Sequence, residues 1–288
     1  MTRLWRALAL IGALVAGAAQ AQEKTFVFTA IPDQDESRLV ERFTKVAERL
    51  QAKLGVPVKY VPVKSYPAAV TAFANNQVQL AWFGGFTGVQ ARRQTPGSQA
   101  IAQGAEDAAF KSYLIANAKT GLKPTKEFPK EIAGKSFTFG ARASTSGRLM
   151  PEFFIRQGFA GKSPEEVFSR VGFSGDHSRT IQLVQSGAFE VGVVDYSVWD
   201  LDSKAGKVDP AQVSVIWETP PFPDYQWTIR GDVDATFSSG FTEKVRAVLL
   251  SIDDPAILGI FGRSKFIPAK NEDYAPIEEV GKTTGLLN

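Results

Sequence analysis

The sequence predicts an α/β protein made of two lobes around a cleft. Strands and helices alternate along residues 25–93 and again along residues 136–201, and such βα series form sheets flanked by helices. Two extended stretches, near residues 112–124 and 214–226, connect the two series. Short crossings stiffened by proline are where two lobes would hinge about a ligand.

The first 21 residues predict a secretory signal peptide. Arg3 and Arg6 make a basic start, residues 8–18 are apolar, and residues 19–21 (Ala-Gln-Ala) fit a cleavage site flanked by small residues. This apolar run is too short to span a bilayer and remain there. We therefore expect cleavage after Ala21 and a secreted mature protein.

The remaining 267 residues are enough for two domains of ordinary size. Loss of the two leader arginines leaves 31 of the 33 basic residues against 30 acidic ones, so no nucleic-acid partner is expected. The chain has no cysteine and one histidine, which argues against disulfides, a lipid anchor, a transition-metal site or a cofactor. The expected domain boundaries are 22–115 and 220–288 for lobe 1 and 116–219 for lobe 2.

Apolar periodicity identifies the elements of the first series. They are a strand at 25–31, a helix from about 36 to 54, a strand at 56–63, a helix at 65–75, a strand at 79–83 and a helix up to about 93. Tyr66 falls in the first turn of the second helix, and the third strand runs directly into Gly84 and Gly85. The alternation favours a mostly parallel sheet, in which ligands bind beyond the carboxyl ends of the strands.

The second series and the end of the chain follow the same logic. The predicted elements are strands at 100–103 and 112–116, a strand at 136–139, a helix from about 147, a strand at 171–173, a helix at 178–185, a strand at 191–194, a helix through 201, strands at 213–217 and 226–230, a helix at 241–250 and an irregular tail. The turns that end these strands are the places to look for binding residues.

Three adjacent hydroxyl residues, Ser144, Thr145 and Ser146, stand where the strand at 136–139 passes through a small-residue turn into a helix. The first turn of a helix has unpartnered N–H groups and a partial positive charge. Hydroxyls at this position either cap the helix or, with those amides, bind an anion. Taken alone, this segment leaves both interpretations open.

Four motifs in this order resemble the periplasmic substrate-binding proteins of phosphonate- and phosphite-type ABC transporters, over almost the whole mature chain. The motifs are Val-Gln-Leu-Ala-Trp-Phe-Gly-Gly (78–85), Ala-Ser-Thr-Ser-Gly (143–147), Gly-Asp-His (175–177) and Gly-Val-Val-Asp-Tyr (192–196). The hydroxyl run followed by a lone histidine is the most specific part. Within the family, the sequence is most similar to a branch described as selenate transporter components.

The resemblance implies a type II periplasmic-binding-protein fold that closes on a tetrahedral oxyanion. The implied ligand-binding residues are Ser144, Thr145, Ser146, His177, Tyr66, Phe83, Gly84, Gly85 and Asp195. Phe83 lacks the hydroxyl that a tyrosine would supply there, and the amides of Gly84 and Gly85 are candidates to replace it. Asp195 matches a position that meets an amino group of the substrate in some members.

A serine hydrolase is the enzyme alternative, with Ser144 or Ser146 as nucleophile, His177 as base and Asp195 as its orienting group. The chain has no Gly-x-Ser-x-Gly elbow, because residue 142 is arginine. Three adjacent hydroxyls suit several hydrogen bonds to one anion better than a single activated nucleophile. We therefore expect a binding protein, monomeric, that delivers a small oxyanion to an ABC permease and its ATPase. A ligand sensor for a signalling partner would use the same site.

Overall fold

Two β-sheets, each flanked by helices, form the frame of the protein in a computed structural model that describes residues 24–287. The predicted signal peptide and its cleavage site lie outside these residues. No helix in the described range is both long enough and apolar enough to cross a membrane. Elements are numbered below along the chain.

The first sheet belongs to lobe 1 and has six strands. They are β1 (Phe26–Ala30), β2 (Val58–Tyr60), β3 (Leu80–Phe83), β4 (Gln99–Gly104), β10 (Gln226–Ile229) and β11 (Phe266–Pro268), in the spatial order β11-β4-β10-β3-β1-β2. The flanking helices are α1 (Glu36–Leu54), α2 (Tyr66–Ala74), α3 (Gly85–Gln94), α8 (Val233–Thr236), α9 (Phe241–Leu250), α10 (Pro255–Phe261) and α11 (Ala275–Thr283).

The second sheet belongs to lobe 2 and has five strands. They are β5 (Ser112–Asn117), β6 (Ser136–Phe139), β7 (Arg170–Phe173), β8 (Val191–Asp195) and β9 (Val213–Glu218), in the order β7-β6-β8-β5-β9. Its helices are α4 (Met150–Gly158), α5 (Pro164–Val167), α6 (His177–Gln185) and α7 (Tyr196–Lys204). The expected α/β class is confirmed.

Two expectations about these elements were wrong. The sheets are mixed rather than mostly parallel, because β5 and β10 enter from the opposite lobe and run antiparallel to their neighbours. The tail after residue 250 is not irregular, since α10, β11 and α11 complete lobe 1. The signals were present in the sequence: Asp254 caps α10, Pro255 opens it, and Gly262 ends it in a left-handed conformation.

The crossings between the lobes occupy residues 105–111 and 219–225. They are hydrogen-bonded to each other, because Phe110 and Phe222 exchange both backbone bonds at 2.8 and 2.9 Å. Strand β5 pairs with β8 from Ser112 onward. Residues 112–115, which were expected in lobe 1, therefore pair within the second sheet.

Aromatic packing holds each lobe together in the absence of disulfides. In lobe 1 the ring of Trp82 lies 5.2 Å from the rings of both Trp227 and Phe261, and in lobe 2 Phe137 stacks on Phe168 at 4.4 Å. Each large apolar side chain buried in this way contributes about 1.5–3 kcal/mol. The largest buried apolar cluster includes Leu149 and Met150 of lobe 2 together with the core of lobe 1, and lobe 2 has two further clusters of its own.

Candidate anion-binding site

Four helical N-termini converge at the interface between the lobes, and each directly follows a strand. In lobe 1, α3 follows β3. In lobe 2, α6 follows β7, α7 follows β8, and a helical segment beginning with a single π-helical turn, Thr145–Leu149, follows β6. Because every helical N-terminus carries partial positive charge and free N–H groups, this arrangement favours an anion.

Ser144, Thr145 and Ser146 form the first turn of the helical segment that follows β6. This turn is called the hydroxyl turn below. Ser144 caps it and accepts a hydrogen bond from Gly147 N at 2.9 Å, so the helical turn begins at Thr145 rather than near residue 147. Ser112 of β5 donates to the Ser146 carbonyl at 2.7 Å and fixes the turn against the sheet. Ser144, Thr145 and Ser146 are all at most 2 % exposed. Ser144 is therefore a cap, and its hydroxyl hydrogen remains available to a ligand.

Lobe 1 meets this turn through the N-terminus of α3. The amide of Phe86 donates to Thr145 Oγ1 at 3.0 Å, and the amide of Gly85 donates to Asp224 Oδ1 at 2.9 Å. A β-carbon at Gly84 would lie 3.1 Å from both of those oxygens. Glycine at position 84 thus lets the lobes come this close, while the Gly85 amide is already occupied by a protein carboxylate.

His177 opens α6 and is fully buried. Its Nδ1 accepts the backbone N–H of Asp195 at 3.2 Å, so the neutral ring carries its proton on Nε2. That Nε2 is buried and has no hydrogen-bond partner among residues 24–287. A β-carbon at Gly147 would lie 3.0 Å from the ring carbon Cε1, so the imidazole edge sits directly on the hydroxyl turn.

Tyr66 approaches from the other lobe, at the first position of α2, which Ser65 caps. Its hydroxyl is buried without a hydrogen-bond partner in the described part of the chain. Burial raises the pKa of Tyr66 well above its usual value, the charge of Asp33 raises it further, and the nearby Ser144 hydroxyl partly opposes this. Tyr66 is therefore a neutral hydrogen-bond donor.

Asp224, in the second crossing, lies in the same site and was not predicted from the sequence. Its Oδ1 accepts the backbone N–H of Gly85 at 2.9 Å, and its Oδ2 is buried without a hydrogen-bond partner in the described chain. Burial raises its pKa to about 7, while the Gly85 N–H bond and the nearby hydroxyls of Thr145 and Ser146 oppose the shift and the charge of Asp195 adds to it. The available signal was an acid directly after the prolines of this crossing.

Two predicted site residues have partners elsewhere. The ring of Phe83 packs edge-on against Phe73 of α2, with ring centroids 5.6 Å apart, inside lobe 1. Asp195 caps α7: its Oδ1 accepts from Ser197 N at 2.6 Å, and its Oδ2 accepts from the Tyr225 hydroxyl at 2.9 Å. Both carboxylate oxygens of Asp195 are thus in use, which argues against the expected contact with a substrate amino group.

Three buried polar atoms beside the hydroxyl turn have no hydrogen-bond partner in the described residues: Tyr66 Oη, His177 Nε2 and Asp224 Oδ2. A buried polar group without a partner costs about 1–3 kcal/mol, and together with the hydroxyl turn these atoms suit a compact ligand rich in oxygen. Among residues 24–287, no group of three or more acidic or histidine side chains is placed to hold a metal ion.

Comparison with known proteins agrees with this geometry. Residues 28–274 match the family of periplasmic substrate-binding proteins of phosphonate ABC transporters. A probable ABC transporter phosphite binding protein, PhnD1, of Prochlorococcus marinus (strain MIT 9301) is 40% identical over 266 residues, which cover 88% of this chain and 87% of that protein. The phosphate-import protein PhnD of Mycolicibacterium smegmatis is 26% identical over 215 residues, covering 70% of this chain and 64% of that protein.

Among solved structures, PhnD1 from P. marinus in complex with methylphosphonate superposes with a TM-score of 0.86 at 39% identity, covering 91% of this chain and 98% of that one. The two-lobe fold, the order of the motifs and the extent of the family match lead to one conclusion. The chain belongs to the phosphonate-binding family of periplasmic substrate-binding proteins of ABC transporters.

Proposed function

We propose that this protein captures a small tetrahedral oxyanion of the phosphonate, phosphite, phosphate or selenate class between its lobes. The observation that carries the proposal is the set of three unpartnered buried atoms of Tyr66, His177 and Asp224 beside the hydroxyl turn. We call these three residues, with Ser144, Thr145 and Ser146, the anion site. The methylphosphonate complex of the similar PhnD1 supports the same ligand class.

Hydrogen-bond donors from both lobes would hold the anion. Tyr66 Oη donates from lobe 1, while His177 Nε2 and the hydroxyl turn donate from lobe 2. A hydrogen bond to a charged group contributes about 1.5–3 kcal/mol. Micromolar affinity needs about 8 kcal/mol, so four or five such bonds are sufficient.

Ligands without an amino group fit this site best. The carboxylate of Asp195, which the family resemblance assigned to a substrate amine, bonds instead to Tyr225 and to its own helix. We therefore favour phosphite, methylphosphonate or an inorganic oxyanion over an aminoalkylphosphonate.

The hydrolase alternative fails on the geometry of His177. In a catalytic triad the carboxylate accepts a hydrogen bond from Nδ1–H of the histidine. Here Nδ1 is itself the acceptor, and the backbone of Asp195 rather than its carboxylate is the donor. The relatives are binding proteins as well. The chain is a substrate-binding protein rather than an enzyme.

The family places the protein in the periplasm, with an ABC permease and its ATPase as partners. We further propose that it acts as a monomer without a nucleic-acid partner, after cleavage following Ala21. A role as a ligand sensor would use the same anion site.

The anion site is tested by thermal unfolding of the mature protein with phosphite, methylphosphonate, phosphate, sulfate and selenate. At least one anion is expected to raise the melting temperature, and His177→Phe, which removes the Nε2 donor, is expected to weaken that anion's binding at least tenfold. Ser186→Ala, an exposed change at the far end of α6, serves as the control. Flat melting curves across the panel would contradict the proposed function.

A further inference from the structure

Two ion pairs join the lobes beside the anion site. Arg38 Nη1 of α1 lies 2.6 Å from Asp202 Oδ1 of α7, and Lys207 Nζ lies 2.6 Å from Asp35 Oδ2. Helix α1 belongs to lobe 1, whereas α7 and the turn that holds Lys207 belong to lobe 2. Each pair therefore exists only while the lobes are together.

The pairs lie at the end of α7 that points away from the crossings. The first residue of α7, Tyr196, packs on Phe110 of a crossing, with ring centroids 4.7 Å apart. Asp202 lies six residues further along the helix, a rise of about 9 Å. A rotation about the crossings would therefore displace Asp202 more than it displaces Tyr196.

The two pairs differ in burial. The Asp202 side chain is 3% exposed and Arg38 is 22% exposed, while Asp35 and Lys207 are 35% and 46% exposed. A carboxylate as buried as Asp202 needs a nearby cation when the lobes are closed, and needs none once opening returns it to water. The backbone carbonyl of Asp202 also accepts from Lys207 N at 2.9 Å, so the lobe 2 members of both pairs belong to one hydrogen-bonded turn.

These four residues are separate from the anion site. The nearest link is the backbone carbonyl of Asp33, two residues before Asp35, which accepts from His177 N at 3.0 Å. The pairs thus lie near the anion site and are not among the residues proposed to hold the anion.

We propose that the Arg38–Asp202 pair, supported by Lys207–Asp35, is a latch that holds the lobes closed over the bound anion and sets the rate at which it leaves. This inference rests on the proposed function. An interaction made only in the closed state shifts the population toward that state and so lowers the dissociation rate constant. The association rate constant, which depends on the open state, is left nearly unchanged.

The test measures association and dissociation of methylphosphonate by stopped-flow fluorescence for wild type, Asp202→Asn and Arg38→Gln. The dissociation rate constant is expected to rise about tenfold in both variants, equivalent to about 1.4 kcal/mol, while association changes less than twofold. Glu36→Gln is the matched control, because it removes an exposed ion pair with Lys64 within lobe 1, also on α1. It is expected to change neither rate.

Exchanging the charges of Arg38 and Asp202 distinguishes loss of the latch from a general loss of stability. The double variant Arg38→Glu with Asp202→Lys is expected to recover slow dissociation. Two changes that act independently would instead raise the dissociation rate constant further than either change alone. Small-angle X-ray scattering of the ligand-free proteins gives a readout without ligand: Asp202→Asn is expected to have a larger radius of gyration than wild type.

The outcomes are distinguishable. If wild type does not bind methylphosphonate, the proposed ligand class is wrong for that probe and the scattering comparison alone decides the latch. If wild type binds and Asp202→Asn dissociates at the wild-type rate, the latch is overturned. Equal radii of gyration for wild type and Asp202→Asn in the ligand-free state would also overturn it.

Discussion

Asp224 is the residue that most changes the chemistry of the site, because its carboxyl group can be either protonated or ionised. When protonated, it donates a hydrogen bond to an anion; when ionised, it repels a charged ligand or accepts from a protonated one. Burial raises its pKa to about 7, so both forms are populated near neutral pH. The protonation state of this one side chain therefore enters the free energy of binding.

Asp224 also makes the stability of the ligand-free protein depend on pH. Its pKa rises from 3.8 to about 7 on folding, so the folded protein binds the proton more tightly than the unfolded chain does. The corresponding stability is fully present below about pH 4 and is lost as the pH rises through 7. Between pH 5 and 8 the loss is about 2–3 kcal/mol.

Asp224→Asn is expected to remove that loss, as measured by urea unfolding at pH 5 and pH 8. Asp253→Asn, at a carboxylate that is 92% exposed, is the control and is expected to behave as wild type. Parallel pH profiles for wild type and Asp224→Asn would show that the Asp224 carboxyl does not titrate in this range.

Among single residues, the sequence was informative where a motif resembled one of a known family. The hydroxyl run and the lone histidine were predicted as ligand contacts, and their side chains lie together and buried at one place. Asp224 was not predicted, because its importance depends on how the crossing bends. Neither composition nor periodicity determines that path.

At the scale of elements, the close approach of α3 to the π-helical turn is the contact that closes the site. It depends on the missing side chain of Gly84, since a β-carbon there would lie 3.1 Å from Thr145 and from Asp224. A separation this short requires the neighbouring atoms to move apart. The absence of a side chain at position 84 thus sets how closely the two lobes can approach.

Gly84→Ala is therefore expected to weaken methylphosphonate binding at least fivefold while each lobe remains folded. The measurement is isothermal titration calorimetry, with circular dichroism to check the fold. Gly259→Ala in α10 is the matched control, because a β-carbon there meets no atom within 4 Å; it is expected to leave affinity unchanged. Wild-type affinity in Gly84→Ala would show that the lobes have more room than this structure indicates.

The elements were predicted well where apolar periodicity was strong and poorly where topology decided the outcome. The β1-to-α3 region was placed within a few residues. The direction of β5 and β10 was missed, because local pattern does not indicate that a strand continues a crossing from the other lobe. The tail was missed because its helices are short, at seven and nine residues.

At the scale of the whole molecule, a buried ion pair ties the body of lobe 1 to the crossings. Arg263 Nη2 lies 2.7 Å from Asp107 Oδ1, and the guanidinium carbon lies 5.1 Å from the ring centroid of Phe110. The backbone carbonyl of Asp107 accepts from Asp224 N at 3.0 Å. Burial raises the pKa of Asp107 to about 6, although the charge of Arg263 opposes this.

Arg263→Leu is expected to lower the free energy of unfolding by about 3–5 kcal/mol, because it leaves Asp107 buried without its cation. The measurement is urea unfolding at pH 8. Arg246→Leu, which removes a more exposed pair with Glu243, is the control and should cost about 0–1 kcal/mol. A double variant, Arg263→Leu with Asp107→Leu, is expected to recover part of the loss; a further full loss would mean that packing rather than charge is responsible.

Thr145 links the two lobes through its side-chain oxygen. Thr145 Oγ1 of lobe 2 accepts from Phe86 N of lobe 1 at 3.0 Å and lies, with Asp224 Oδ1 of the crossing, beside Gly84. This bond uses the oxygen as an acceptor, so the hydroxyl hydrogen can be donated to an anion. Hydrogen bonds in series polarise one another, so an anion that accepts from Thr145 would strengthen the bond to Phe86 that spans the lobes. Ligand binding and lobe closure would then be coupled through a single oxygen.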